Sequence, residues 1–427
     1  MTTFQAIGIL AIFAVCVVLM MARKLPTILA LPIMAVGIAL VAGIPFISSN
    51  PEQFTIAGNV LESGAMRMST AIAGLIFGGW FGKILTKVGI TKTIIRKAAE
   101  LAGDKPLPIA LAFLAVCSVI FAASNGLGMF ILVGTIILPI MISAGLSPLV
   151  AGIVLLLANG IGVTFSVGTL GVYIDTLGLP LETVTGYSWL CGLPLIVVAV
   201  IMIVYFVKKD GAVRKAWAMP AGEAAAEKNV RSIALISPLV PVVLVFTLKL
   251  PLVPSILIGI VVALILSTPK NFIQVASSAF VEGIQDTAGA AALMIGIGMT
   301  LNAVMAPQGA DILAPGIQAI IPGNAIMFVL VFGLLSFLAI YRGPLNVWGL
   351  GSGIVALLAA GGMNPIAAMV ALRLDSNVQA VCDPTNSHNV WAADFTKTDV
   401  NEYLKKTIVW IMASTIAGLI VASFIVL

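Results

Sequence analysis

A succession of apolar runs, each about as long as a bilayer is thick, constrains this chain more than any other feature. About 20 apolar helical residues cross the roughly 30 Å of hydrocarbon in a membrane. Fourteen such runs can be drawn, seven before residue 208 and seven after residue 231. The chain is 60% hydrophobic and 9% charged, whereas soluble domains carry about 25% charged residues. We therefore expect an all-α polytopic membrane protein.

The two groups of seven runs resemble each other. One constant offset in residue number pairs four Gly or Pro residues with the same residue type: Gly126 with Gly343, Gly134 with Gly351, Gly145 with Gly362, and Pro148 with Pro365. Gly and Pro depend on backbone geometry more than on hydrophobicity. Placing the short loops rich in Lys and Arg in the cytoplasm gives the two halves opposite orientations. We predict two inverted-topology repeats, 1–207 and 232–427, joined by a cytoplasmic linker at 208–231.

Each half contains two adjacent runs with a polar tip between them, followed by an interrupted run. We predict re-entrant hairpins at about 107–143 and 323–361, because Gly and Gly-Pro in the tips are turn signals. Two full crossings in place of each hairpin would leave the later orientation unchanged, so both alternatives remain open. The interrupted runs, about 148–170 and 364–386, predict broken transmembrane helices.

Breaks inside a membrane free carbonyl groups to bind cations and expose N–H groups to anions. A charge at the bilayer centre costs about 2.5–3.5 kcal/mol on insertion scales. Because Arg373 and Asp375 lie inside an apolar run in spite of this cost, we expect them to have a function. Substrate contacts are predicted at Ser124, Asn125, Gly126, Arg342, Gly343, Asn346, Arg373, Asn377, Thr385 and Asn386. Ion coupling is predicted at Asn159, Thr164, Ser166, Thr169, Asp375, Asp383 and His388.

Structural alternatives exist for several of these residues. Arg373 could neutralise Asp375 or Asp383 as a structural pair, and His388 could be a polar loop residue. The Gly-rich stretch of the first broken helix could serve helix–helix contact. Glu282 and Asp286 lie at the edges of apolar runs, where we expect their side chains to reach the interface.

Other function classes have no support in the sequence. The GxxxxGK[ST], HExxH and GxSxG motifs are missing, so we expect neither ATP-driven pumping nor an enzyme. The four cysteines show no CxxC spacing, which argues against a zinc site. The net charge of +5 comes from short loops and does not indicate nucleic-acid binding. No cofactor is expected beyond Na⁺ as a coupling ion.

With these features the chain resembles the ion transporter superfamily, which includes citrate, C4-dicarboxylate and gluconate permeases and some Na⁺/H⁺ antiporters. Its divalent-anion/sodium symporters carry Ser-Asn-Thr at both hairpin tips. Ser124-Asn125-Gly126 matches two of these three residues, whereas Tyr341-Arg342-Gly343 does not match. The sodium sites of that family therefore do not carry over to the second tip. The resemblance implies an elevator-type motion of hairpins and broken helices, and a homodimer.

The function predicted is secondary active transport of a small organic anion, most simply a carboxylate, coupled to H⁺ or Na⁺. The predicted location is a bacterial-type cytoplasmic (inner) membrane. One alternative is a cation/proton antiporter in which Asp375 and Asp383 carry Na⁺ and H⁺. A second alternative is a membrane sensor component without transport of its own.

Overall fold

The structure is a computed structural model that describes residues 2–22, 24–103, 105–210, 230–341 and 343–427. These residues form α-helices with a few π- and 3₁₀-helical segments, and no strand occurs among them. In chain order the helices are α1 (Thr2–Met21), α2 (Thr27–Val41), α3 (Ser63–Arg67), α4 (Ser69–Lys87), α5 (Ile90–Ala102), α6 (Pro106–Ala123), α7 (Leu127–Ser143), α8 (Pro148–Thr164), α9 (Val167–Leu177), α10 (Leu181–Gly186), α11 (Ser188–Asp210), α12 (Leu239–Phe246), α13 (Leu252–Ser267), α14 (Phe272–Val304), α15 (Pro307–Ile320), α16 (Ala325–Val329), α17 (Gly351–Ala360), α18 (Pro365–Cys382), α19 (Ser387–Thr396) and α20 (Val400–Val426). The prediction of an all-α fold is confirmed.

Several helices have the length and composition of membrane spans. Among the described residues, five helical stretches are long and apolar enough to cross a bilayer, or six if the bent pair α8–α9 forms one span. Shorter apolar helices, among them α2, α7 and α13, account for further apolar runs. The ends of the chain expose large apolar side chains, with Phe4 84% and Phe424 83% exposed. Such surfaces suit lipid rather than water, and the chain is a multi-pass membrane protein.

One half of the chain packs closely against the other where α4 crosses α14. A Cβ on Gly79 would lie 2.8 Å from the carbonyl oxygen of Gly283, so the two backbones are almost in contact. Small residues permit this approach, which gains dispersion energy where lipid provides no hydrophobic drive. Two ion pairs follow along the same crossing, Lys83–Asp286 at 2.8 Å and Lys87–Glu282 at 2.6 Å.

The helices α8 and α18 form the buried centre of the molecule. Each begins with a proline in its first turn, Pro148 and Pro365, which are paired by the constant offset in the sequence. Each is capped by the preceding side chain, since Ser147 accepts a hydrogen bond from Val150 and Asn364 accepts one from Ile366. The sequence offset thus pairs two helices that begin in the same way.

The boundaries of the repeats, their opposite orientation in the membrane and the cytoplasmic side of the linker remain predictions. Of the linker at 208–231, residues 211–229 lie outside the described residues.

Candidate functional site

The first polar tip connects α6 to α7 and contacts the first break. Gly126 has φ +131° and ψ 160°, a conformation that favours glycine, and it is the N-cap of α7. The Asn125 side-chain amide donates a 2.7 Å hydrogen bond to Ser166 Oγ. Ser124 is buried in a notch at Gly82 of α4, where any Cβ would collide with its hydroxyl group. The first tip and the first break are therefore in direct polar contact.

The first broken helix bends by 53° between α8 and α9. Thr164 ends α8, Ser166 is the N-cap of α9, and the Thr169 hydroxyl lies 2.9 Å from the Ser166 carbonyl oxygen. Gly160 and Gly162, which belong to the Gly-rich stretch of the first interrupted run, lie inside α8. A Cβ on Gly162 would lie 2.8 Å from the Ser118 carbonyl oxygen, so this glycine permits close packing against α6.

The second tip is longer than the predicted turn. The segment that leads into this tip consists of α16, a π-helical segment Leu330–Leu334 and a 3₁₀ segment Ser336–Ala339. The helix that follows the tip, α17, begins at Gly351. Tyr341 has φ +55°, and Gly343 packs against the Leu338 carbonyl group. The Asn346 amide donates to the Ala339 carbonyl oxygen at 3.1 Å, which closes the loop. Arg342 lies outside the described residues.

The second break separates α18 from α19 and is organised by Asp383. One oxygen of this buried carboxylate, Oδ1, accepts three hydrogen bonds: from the Tyr341 amide at 3.0 Å, the Thr385 amide at 2.8 Å and the Thr385 hydroxyl at 2.7 Å. The first of these bonds links the second tip to the second break. The constant offset also pairs Ser166 with Asp383, so equivalent positions contact the tip in the two halves.

The two halves meet where α19 reaches the first tip. The Asn386 side chain caps α19. The His388 ring lies 2.9 Å from Asn386 Oδ1 through Nδ1, lies against the Gly126 backbone, and packs edge-on against Phe130 with 4.9 Å between ring centroids. The N-termini of α7, α9 and α19 therefore lie together. A helix N-terminus carries about half a positive charge, so this region suits an anion.

The polar residues of α18 point in two directions. Asn377 Oδ1 lies 3.0 Å from the Thr164 hydroxyl, and Arg373 also faces the end of α8. Asp375, two residues from each, projects to the opposite side of the helix, because successive residues turn by about 100°. No ion pair among the described residues joins Arg373 to Asp375 or Asp383, so the structural pair considered from the sequence is not formed.

Three of the predicted residues, Asp375, Asn159 and His388 (through Nε2), have buried polar atoms without partners among the described residues. Asp375 is fully buried, and neither carboxyl oxygen has a hydrogen-bond partner among the described residues. Asn159 is 2% exposed, and its Oδ1 is also unpartnered there. Buried polar groups are usually satisfied, and an ionisable one inside a membrane is a functional candidate.

Other contacts of the site were not foreseen in the sequence. Asp286 pairs with Lys83, and its carboxylate packs against Gly128 in the first turn of α7. Tyr173, Val184 and Ser188 contact Arg373. These residues come from distant parts of the chain, and no spacing in the sequence connects them. Within the described ranges, no group of three His, Cys, Asp or Glu side chains could hold a metal ion.

Comparisons with known proteins bear on the fold. No protein-family model matches the chain, and no curated protein matches it in sequence. The chain is similar to the YdaH transporter of Alcanivorax borkumensis, with a TM-score of 0.63 and 13% identity over 92% of this chain and 96% of that one. It is also similar to MtrF of Neisseria gonorrhoeae, whose structure illuminates a class of antimetabolite efflux pumps, with a TM-score of 0.59 and 12% identity over 94% and 96% of the two chains. The chain thus has the fold of two membrane transporters.

Proposed function

We propose that this chain is a secondary active transporter of a small organic anion, a carboxylate, coupled to H⁺. It works in a bacterial-type cytoplasmic membrane, as a homodimer, by an elevator-type movement of its hairpins and broken helices. A relationship with the ion transporter superfamily is part of this proposal. The fold shared with two solved transporters supports the transport class.

The main support for an anionic substrate is that the N-termini of α7, α9 and α19 lie close together. Asn125 joins the starts of α7 and α9, and His388 brings the start of α19 against Gly126. In the described structure neither α7 nor α9 has a side-chain cap on its first N–H groups. These donors and the positive helix ends favour a carboxylate over a cation. Ser124, Asn125 and Asn386 supply polar side chains around the same point.

Coupling to protons is proposed from Asp375. An ionised carboxylate without partners costs several kcal/mol in an apolar interior, and the group avoids this cost by binding a proton. Asp375 therefore serves as the proton carrier, neutral in the state described here and ionised when the moving helices bring it to water. The polar groups at Asn159, Thr164, Ser166 and Thr169 take part in coupling through the first break.

A cation/proton antiporter is the second candidate, and one observation favours it. Asp383 is a second buried carboxylate at a helix break, only one of whose oxygens accepts the three hydrogen bonds described above. In this alternative Asp375 and Asp383 carry Na⁺ and H⁺, and no ligand binds at the three helix N-termini.

A thermal-shift screen on the purified protein separates the two candidates. A ligand that binds the native state raises its apparent stability. Mono-, di- and tricarboxylates are added at acidic and alkaline pH, with and without Na⁺. We expect a carboxylate to stabilise the protein more strongly at acidic pH and without any need for Na⁺.

The variant Asn125→Ala should weaken this stabilisation, and Asn401→Ala, at an exposed helix start, is the control. Stabilisation by Na⁺ in the absence of every carboxylate would instead support the antiporter.

A further inference from the structure

The guanidinium group of Arg373 is held by oxygen atoms of the protein. Nη1 donates to the Val184 carbonyl oxygen at 2.8 Å, and Nη2 donates to the Thr164 carbonyl oxygen at 2.8 Å and to Ser188 Oγ at 2.9 Å. The Tyr173 ring lies beneath it, with 5.0 Å from Cζ to the ring centroid. The side chain is buried, and Arg373 is 2% exposed. One residue of the second half thus connects α8, α9, α10 and α11 of the first.

The Arg373 charge is balanced without a carboxylate among the described residues. Thr164 is the last residue of α8, so its carbonyl group has no partner within that helix. The C-terminal end of a helix also carries about half a negative charge. In broken membrane helices, carbonyl groups in this position coordinate the coupling cation of the transporter. Here a guanidinium group occupies the equivalent place.

We propose that the guanidinium group of Arg373 is a built-in cation that occupies the place of a coupling cation at the first break. It fixes the positions of α8, α9 and α11 relative to one another. Arg373 is then a positioning residue that does not bind the substrate. The role replaces the anion contact expected from the sequence. It deepens the proposed function and depends on it in one respect: with the cation position filled, coupling at this break needs no Na⁺, in agreement with a proton at Asp375.

The arrangement is asymmetric between the two halves. The constant offset pairs Arg373 with Leu156, so the first half has no arginine at the equivalent place in α8. The second half supplies the cation, and the break of the first half receives it. Lysine would reach these oxygen atoms less well, because its single ammonium group cannot reproduce the planar fork that spans Val184 and Thr164.

Chemical rescue tests the inference directly. Arg373→Ala leaves a cavity lined by the Thr164 and Val184 carbonyl groups and the Ser188 hydroxyl group. We expect the melting temperature of this variant to fall, and guanidinium chloride at low millimolar concentration to recover at least about half of the loss. NaCl at equal ionic strength should recover less. The matched control is Arg231→Ala, an exposed arginine, which guanidinium should leave unchanged.

A second variant keeps the test informative if Arg373→Ala does not fold. Arg373→Lys retains a positive charge, and we expect it to lower the melting temperature while the Kd for a stabilising carboxylate stays within about threefold. The inference is overturned if Arg373→Lys keeps its melting temperature and loses carboxylate binding, since Arg373 would then contact the substrate. It is also overturned if guanidinium stabilises Arg373→Ala no more than Arg231→Ala.

The outcome for Arg373 can be told apart from the outcome for the proposed function. If no carboxylate stabilises the unaltered protein, the proposed substrate class is wrong. Guanidinium rescue of Arg373→Ala still reports whether a cation belongs at the end of α8.

Discussion

Asp383→Asn should weaken the connection between the second tip and the second break by an amount that the structure permits us to estimate. Oδ1 of Asp383 accepts three hydrogen bonds, of which the bond from the Tyr341 amide spans 42 residues. An asparagine oxygen can accept the same three bonds, so the variant removes the charge and keeps the geometry. A hydrogen bond to a charged group contributes about 1.5–3 kcal/mol, against about 0.5–1.5 kcal/mol for a neutral one. The expected loss is therefore about 1 kcal/mol per bond, or about 3 kcal/mol in total.

The measurement is the free energy of unfolding from a reversible SDS titration in mixed micelles. Asp394→Asn is the matched control, because Asp394 lies in α19 and forms an exposed ion pair with Lys397. Exposed pairs of this kind contribute little to stability, so the control should unfold as the parent does. If Asp383→Asn also unfolds as the parent does, Asp383 does not hold the tip to the break, and our account of the second half is wrong.

Three further predictions concern packing, coupling and binding. Gly298→Ala should lower the free energy of unfolding by about 1–3 kcal/mol, because a Cβ would collide with the Gly64 carbonyl group. Gly289→Ala in the same helix meets no described residue within 4 Å and should be neutral or stabilising; equal losses in the SDS titration would contradict the packing. Asp375→Asn should abolish the difference between acidic and alkaline pH in carboxylate binding, measured by calorimetry, and a retained difference would exclude Asp375 as the proton carrier. Asn125→Ala removes the bond to Ser166, about 0.5–1.5 kcal/mol, and should raise the carboxylate Kd by roughly two- to tenfold; an unchanged Kd would place the substrate elsewhere.

The features that follow from local chemistry could be predicted from the sequence. Long apolar runs identify a helical membrane protein, because the backbone N–H and C=O groups of a segment in lipid must form their hydrogen bonds within the protein. The constant offset between the halves led to Pro148 and Pro365, each of which begins a buried helix. Polar residues beside Gly and Pro identified both tips and the second break, at Asp383.

The position of the first break required knowledge of the neighbouring helix. Gly160 and Gly162 weaken a helix in isolation, but in the folded chain they allow α6 and α18 to approach α8. The chain breaks after Thr164, where Arg373 donates a hydrogen bond to the freed carbonyl group. A glycine that permits packing and a glycine that interrupts a helix look alike in a sequence, because the difference depends on a contact between distant segments.

The surroundings of the charged residues could not be predicted for the same reason. Arg373 meets Thr164, Val184 and Ser188 across at least 185 residues of sequence. Lys83 and Asp286 pair across the α4–α14 crossing, and no spacing in the sequence connects them. Spacing in the sequence reports which residues share a helix face, and it contains no information on which helix faces them.

The central claim is proton-coupled transport of a carboxylate, and flux into proteoliposomes tests it most directly. The protein is reconstituted with a pH-sensitive dye inside the vesicles, and the carboxylate that gives the largest thermal shift is added outside without Na⁺. We predict that an inward proton gradient drives uptake of the carboxylate together with acidification of the interior, and that Asp375→Asn loses this acidification. Absence of flux under every proton and sodium gradient, in protein that still binds the carboxylate, would contradict transport and favour a sensor.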